Sequence, residues 1–489
     1  MFEKITPEQA GFNSKELTKL IKRLNGAGLN THGILMMKGD KVFLETYYKP
    51  FDVSFNHRLY SETKSFVGIA IGLLEEEGKL CLDDPIIKYF PECIDFEPHP
   101  YLANQTIKDM LMMKTSVRVP YWFFNEDNDR LHLYFHTKPF RPSGTVWEYD
   151  SDGSEVLCCL VEKLTGKTLL EYLKEKMFDD MGVFKNAQLL KVPGGYSWGD
   201  SGMIATLRDN AAFARLVMNY GEYNGKRYIN EKYVKTATSR LTDNITNYDD
   251  KNKSFGYGYQ IWHYEDNVFG FVGMGDQLAI MFKDYDVIFM IHSSNQGNNY
   301  SRPFIYFNVK ELVYGMSKNP LPENKEDYDE LQKFCDSQII KHLPVGVETS
   351  LESKINDVVY KCEPNENMNI KEFSLHLEKD FGVFKYINLT GEKEIRFGRG
   401  YNKFETFPEE GYSYLVGKEK SKGYFYKCAN SGCWRDESKF EIDVEIIDLY
   451  FGNLTIMFYF KDDTCFVKMV KNAENFFREY WGELLAFKK

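Results

Sequence analysis

The pattern of apolar and polar positions divides this chain into two regimes. Up to residue 316 helical and strand periods alternate, and beyond residue 350 the helical period almost vanishes. A helix is predicted over residues 14–26, with Asn13 or Ser14 as its cap. "HGILMMKGDKVFLETYYK" reads as a hairpin turning at Gly39-Asp40. A helix follows from Ser61 to Glu77, with Gly78 as its stop. A short helix is expected over 103–114, and a longer helical pattern from Ser154 to Phe178 is broken at Gly166. Helices are expected at 206–220, 230–239 and 303–316, and three successive strands at 255–264, 268–282 and 285–293. "VRVPYWFFNEDNDRLHLYFHTKPFRPSG" has weak periodicity and reads as a covering loop.

The stretch 317–350 is charged and carries three prolines, as a linker with one short helix would. After it, "FSLHLE", "KYINLT", "KEIRFG", "GYFYKC", "KFEIDVEIID", "NLTIMFYF" and "CFVKMV" alternate apolar and polar residues between Gly, Asn or Asp turns. That pattern predicts an antiparallel sandwich or barrel. The expected organisation is an α/β domain over 1–318, a linker over 319–350 and an all-β domain over 351–489.

Composition narrows the function classes. At 489 residues, 43% of them hydrophobic, the chain is too long for one ordinary domain and can bury sizeable cores. The net charge of −11 and the lack of a long basic run argue against nucleic acid as a partner. No apolar stretch reaches the length of a membrane span, and the N-terminal residues have no secretory pattern. With nine scattered cysteines, a cytoplasmic location is expected. Cys428 and Cys433 could be two metal ligands, but no second close pair accompanies them, and the nine histidines show neither H-E-x-x-H nor H-x-H spacing. No metal or cofactor is expected.

Three constellations carry candidate chemistry. Ser61 and Lys64 stand three residues apart at the start of a helix and so share a face. Unpaired N–H groups there favour developing negative charge. Taken alone, the pair is also what a cap and a solvated lysine would look like. Phe66, Val67, Ile69, Leu73 and Leu74 surround it with apolar spacing, and a buried helix start holding Ser and Lys needs a reason. In "GTVWEYDSDGSEVL", Tyr149 and Ser151 are one residue apart just before a helix. A tyrosine beside a lysine can shuttle protons, and Ser151 could hold the lysine, although Asp150, Ser151 and Asp152 are also ordinary capping residues. In "FGFVGMGDQLAIMF", glycines at 270, 273 and 275 would let another backbone approach a strand, although a bulged strand or tight turn would carry the same glycines. "GDSG" at 199–202 lacks the continuation and partner histidine of a trypsin-type serine and reads as a loop before a helix. No G-x-S-x-G elbow is present. His57 lies close enough in sequence to approach Ser61, though a structural role is expected of it.

Ser-x-x-Lys, then Tyr-x-Ser, then a Gly-rich strand, in that order, resembles the penicillin-recognising serine hydrolases, and most of all class C β-lactamases and the related CubicO-type esterases and amidases. "ITPEQAGFNSKELTKL", "GLLEEEGKLCLDDPIIKYFPE", "SGTVWEYDSDGSEVLCCLVEKLTGKTLLEYL", "DSGMIATLRDNAAFARLVMNYGEYNGKRYI" and "FGYGYQIW" extend the resemblance over residues 5–316. It implies a β-lactamase-like fold, an antiparallel sheet flanked by helices with a helical subdomain. It further implies Ser61 as acylated nucleophile, Lys64 and Tyr149 as the base system and Ser151 as a support for Lys64. The oxyanion hole would be the backbone N–H groups of Ser61 and Met274. Phe271, Gly273 and Gln277 would form the substrate edge. Where β-lactamases carry Lys-Thr-Gly, this chain has Phe271, Val272 and Gly273. The expected substrate is therefore a small ester or amide, with a true β-lactamase or D-amino-acid peptidase as the alternative and a catalytically silent sensor as the rival of another class. Some relatives carry a lipocalin-like barrel after the hydrolase, and the C-terminal pattern is similar.

Overall fold

The computed structural model describes residues 2–120, 129–244, 256–411, 423–448, 451–472 and 480–489. Residues 121–128 of the expected covering loop lie outside them. The described chain divides into two compact units, residues 2–340 and 341–489.

The first unit is built on a seven-stranded sheet. Its order is Glu3–Lys4, Lys41–Tyr47, Thr31–Lys38, Val287–Ser293, Gln277–Phe282, Val268–Gly273 and Trp262–Glu265. All pairings are antiparallel except that of the short first strand. The apolar run of Val287–Ser293 is buried at every position, as a central strand covered on both faces must be. Helix Leu207–Met218 packs on the middle strands. Its Phe213 stacks on Phe66 of helix Thr63–Glu76, with ring centroids 3.9 Å apart, and so ties that helix to the sheet. Helix Thr63–Glu76 is buried from Thr63 through Leu74. Its glycines have a reason: a Cβ at Gly68 would lie 2.8 Å from the Tyr259 carbonyl oxygen.

Several elements differ from the sequence pattern for local reasons. Residues 268–282 form two strands rather than one. Gly275 (φ +77°) and Asp276 (φ +64°) reverse the chain between them in left-handed conformations. The strand expected over 255–264 is confined to Trp262–Glu265, and Gln260 (φ +58°) bends the chain ahead of it. The helix expected over 103–114 is split into Pro100–Ala103 and Ile107–Leu111, the second opened by a Thr106–Asp109 capping box. Helix Ser151–Thr165 stops at Gly166 (φ +69°). The segment 319–350 carries helix Lys325–Asp336, which buries Leu331 and Cys335 and pairs Asp327 with Lys15 at 2.9 Å.

The second unit is a ten-stranded antiparallel barrel. Its strands run, in sheet order, Gly391–Gly398, Phe381–Asn388, Glu372–Leu377, Tyr360–Cys362, Gly482–Lys488, Thr464–Asn472, Phe451–Lys461, Lys439–Ile447, Phe425–Trp434 and Lys403–Glu410. A bridge between Gly398 and Ser431 brings the ends of the sheet together. Alternate residues point inward, so Phe373, Phe384 and Phe458 meet inside with centroids 5.1 to 5.9 Å apart. All nine cysteines are free thiols, and Cys428 and Cys433 are buried. Among the described residues no helix is long and apolar enough to cross a membrane, and no three potential metal ligands come together.

Three buried histidines lie under the chain that leads to Ser61. His57 Nδ1 donates to the Arg58 carbonyl at 2.8 Å, and its Nε2 is 2.9 Å from His32 Nδ1. The His292 ring packs on His57 at 4.5 Å. Burial pushes His57 down to about 3, although its bond to Arg58 opposes the shift. Burial and the neighbouring imidazoles hold His32 and His292 well below the usual value. All three are thus neutral when folded and protonate once unfolded, so their contribution to stability is complete above about pH 6.5 and is lost as pH falls. The penalty at pH 5 is about 2 kcal/mol per histidine. The melting temperature is expected to fall markedly from pH 7 to pH 5, and to fall less in His292→Met. Equal falls in the two proteins would contradict the neutral cluster.

Candidate active site

Ser61 sits in a single 3₁₀ turn, Tyr60–Glu62, just ahead of helix Thr63–Glu76. The turn is fixed from several directions. Tyr60 adopts φ +50°, a left-handed conformation rare for an aromatic residue. Its carbonyl accepts from Thr63 Oγ1 at 2.6 Å, and Thr63 Oγ1 accepts the Met203 N–H at 3.0 Å. Arg58 stacks its guanidinium between the rings of Tyr60 (4.2 Å) and Trp198 (4.4 Å), and its Nε donates to the Ser201 carbonyl at 3.0 Å. The conformation that presents Ser61 is therefore held by its surroundings. As one of the first residues of a helical segment, Ser61 has an N–H with no intrahelical acceptor.

Lys64 is almost completely buried, at 2% exposure. Its Nζ donates to Ser61 Oγ at 3.1 Å and to the Asp200 carbonyl at 2.7 Å, and lies 3.8 Å from Asp200 Oδ2. The Tyr149 ring faces it, with the centroid 5.0 Å from Nζ. Tyr149 is held by Trp262, which stacks on it at 5.8 Å and itself packs on Trp147 and Tyr257. The structure thus brings Ser61, Lys64 and Tyr149 together.

Ser151 opens helix Ser151–Thr165, whose cap is Asp150, accepting from the Gly153 N–H at 2.9 Å and from Thr115 Oγ1 at 2.7 Å. Burial and the charge of Asp152 raise Asp150 to about 6. Among the described residues, the hydrogen bonds of Lys64 run to Ser61 and Asp200 rather than to Ser151.

The strand Val268–Gly273 ends against the Tyr60–Glu62 turn. A Cβ at Gly273 would lie 2.2 Å from the Leu59 carbonyl oxygen, so only glycine lets the two backbones meet. Met274 follows at the head of the hairpin, 36% exposed. Gln277 is fully buried, and its Nε2 donates to the Met274 carbonyl at 3.0 Å and the Ser293 carbonyl at 2.6 Å. Gln277 anchors the Met274 peptide and does not line an open substrate edge. Phe271 requires a correction as well: it is fully buried, with its ring 5.2 Å from Phe213, so it belongs to the core under helix Thr63–Glu76. The strand pleat decides this, because the face that Phe271 shares with Gly273 is the one packed on the segment that begins at Leu59.

Sequence reasoning missed Asp200, Arg130 and Gln260. Asp200 lies in the "GDSG" loop, which was expected only to precede a helix. Arg130 is 3% exposed and bonds to Asp152 and Asp200. Gln260 joins three segments: its Oε1 accepts from Ser154 Oγ, its Nε2 donates to the Met110 and Leu111 carbonyls, and its own carbonyl accepts from Ser65 Oγ. A signal for the arginine was present, because Asp152 and Glu155 stand three residues apart on one face, just ahead of the apolar run 156–161, and buried acids need a cation.

Comparison with known proteins bears on the family and the fold of this region. The family model described as Beta-lactamase matches residues 17–313. The 6-aminohexanoate-dimer hydrolase of Paenarthrobacter ureafaciens is 24% identical over 222 residues, 42% of this chain and 57% of that protein. Protein flp of Staphylococcus aureus is 26% identical over 157 residues, 29% of this chain and 31% of that one. The chain therefore spans little more than half, or less, of the length of these relatives. A Bacillus anthracis protein provisionally named a 6-aminohexanoate-dimer hydrolase shares the fold, with a TM-score of 0.54 at 20% identity over 66% of this chain and 89% of that one. With the family model matched across more than half of its length, the chain belongs to the beta-lactamase family.

Proposed function

We propose that the first unit is a serine hydrolase that cleaves a small ester or amide through an acyl-enzyme. The observation that carries this reading is Lys64, a buried amine whose Nζ is 3.1 Å from the hydroxyl of a partly exposed serine. Burying an amine is costly unless its surroundings compensate. Here they do, and they aim it at Ser61.

In the proposed reaction Ser61 Oγ attacks the substrate carbonyl carbon while its proton leaves through the Lys64–Tyr149 pair. The tetrahedral oxyanion is received by the N–H groups of Ser61 and Met274, and a donor in such a position contributes about 3 to 4 kcal/mol. Collapse breaks the bond to the leaving alcohol or amine, which takes up the proton. Water, deprotonated with the help of Tyr149, then attacks the Ser61 ester and releases the acid.

The acyl side of the site favours a neutral substrate. The strand Val268–Gly273 brings no cation, and Arg302, which reaches the same hairpin, lies 3.5 Å from Asp276 and is balanced by it. A substrate carboxylate at this edge would lack the bidentate partner that recognition of such groups uses. The similarity to a 6-aminohexanoate-dimer hydrolase adds linear amides to the candidates.

A fluorophosphonate probe is expected to add its mass to Ser61 and to leave Ser61→Ala unlabelled. Ser61→Ala and Lys64→Ala are each expected to lower kcat on a short p-nitrophenyl ester by roughly 10³-fold or more. An unlabelled wild-type protein would point to a silent binding protein instead. In a panel of p-nitrophenyl esters, linear amides, D- and L-aminoacyl amides and a chromogenic cephalosporin, the cephalosporin is expected to be the poorest substrate. Its rapid turnover would overturn the neutral acyl edge.

A further inference from the structure

The charged groups behind Lys64 exceed what holding a helix in place requires. Arg130 lies between helix Ser151–Thr165 and the loop 197–202. Its Nε and Nη2 donate to Asp152 Oδ1 at 3.1 and 2.7 Å, and its Nη1 donates to Asp200 Oδ1 at 2.9 Å and lies 3.4 Å from Glu155 Oε2. Glu155 Oε2 accepts the N–H of Gly199 at 2.8 Å and of Asp200 at 3.4 Å. Asp200 is thus gripped by its backbone from Glu155 and by its carboxylate from Arg130. A Cβ at Gly199 would lie 2.1 Å from Cys158 Cβ, so the loop can lie this close to the helix only with glycine there. On the far side of the loop, Arg58 holds the carbonyl of Ser201.

Two arginines and three acids in a core are a poor way to gain stability, because desolvation offsets their attraction and apolar packing would serve as well. The cluster does have a directed output. It ends on Asp200, whose carbonyl is 2.7 Å and whose carboxylate is 3.8 Å from Lys64 Nζ.

We propose that Asp200, clamped by Arg130 and Glu155, is a positioning residue for Lys64: its carbonyl sets Nζ against Ser61, and its carboxylate balances the charge of the amine. The proposal rests on the hydrolase reading above. The ionisation of the two acids supports the assignment. Burial drives Glu155 up, to about 8, despite Arg130. Burial also opposes ionisation of Asp200, but Arg130 and Lys64 outweigh it and hold that carboxyl below its usual value. Of the two acids, Asp200 is the one whose surroundings favour the charged form, and its carboxylate faces Lys64.

The test is the rate of fluorophosphonate acylation at Ser61 from about pH 6 to about pH 9 in the wild type and Asp200→Asn, with thermal unfolding of both. Asn keeps the carbonyl and the shape but removes the charge. Acylation is expected to slow by roughly 10- to 100-fold at neutral pH, with saturation by the probe unchanged. The pH profile is expected to change as well, because a charge 3.8 Å from the Lys64 amine has been removed. If Asp200→Asn does not fold, Arg130→Lys, which keeps the cation and loses the fork, is expected to slow acylation with the probe still saturating at wild-type concentrations. A folded Asp200→Asn that acylates with the wild-type rate and pH profile would overturn the proposal while leaving the hydrolase reading intact, and so would a folded Arg130→Lys with the wild-type rate. A wild type that does not label at Ser61 would remove both.

Discussion

The candidate site depends on one buried amine. Lys64 has 2% of its surface exposed, and its Nζ reaches a serine hydroxyl on one side and the carbonyl and carboxylate of Asp200 on the other. Lysine left in such a place without partners would shed its proton or pull its helix toward water. Much of the first unit can be understood as the means of preventing that. Helix Ser151–Thr165 brings Asp152 and Glu155, Arg130 links them to the loop at Asp200, and Arg58 pins the same loop to Tyr60 beside the nucleophile.

The sheet supplies the other half of the site. Val268–Gly273 reaches the Tyr60–Glu62 turn at a glycine, because any Cβ at Gly273 would strike Leu59. The hairpin then turns outward and presents the Met274 peptide, steadied by Gln277 from inside. Phe271 and Phe213 pack beneath this junction, and Phe213 continues to Phe66 on the nucleophile helix. Packing and chemistry therefore share residues, and a change of volume at Phe213 would be felt at Ser61 as well as in stability.

The readability of the sequence followed the range of the interactions involved. Helix Thr63–Glu76, the stop at Gly166, the central strand Val287–Ser293 and the alternating strands of the barrel are local patterns, and they were legible. Ser61, Lys64 and Tyr149 were legible as types at characteristic spacings, and the structure places them side by side. Asp200 and Arg130 were not, because their partners lie on other elements, 22 to 136 positions away, and "GDSG" taken locally is only a turn. Phe271 and Gln277 were misplaced for a related reason. A motif alignment gives the order of residues along a strand but not which face of the pleat meets the core. The break at Gly275-Asp276 was open in the sequence as a tight turn beside the strand reading, and the long apolar run had favoured the strand.

The central claim is that Ser61, Lys64 and the Met274 peptide form one acylation centre. A crystal structure of the protein after reaction with a small alkyl fluorophosphonate tests it most directly. The account predicts phosphorus bonded to Ser61 Oγ, the phosphoryl oxygen accepting from the N–H groups of Ser61 and Met274, and Lys64 Nζ still held by the Asp200 carbonyl. An adduct on another residue, or a phosphoryl oxygen turned away from Met274 with Lys64 released from Asp200, would contradict it.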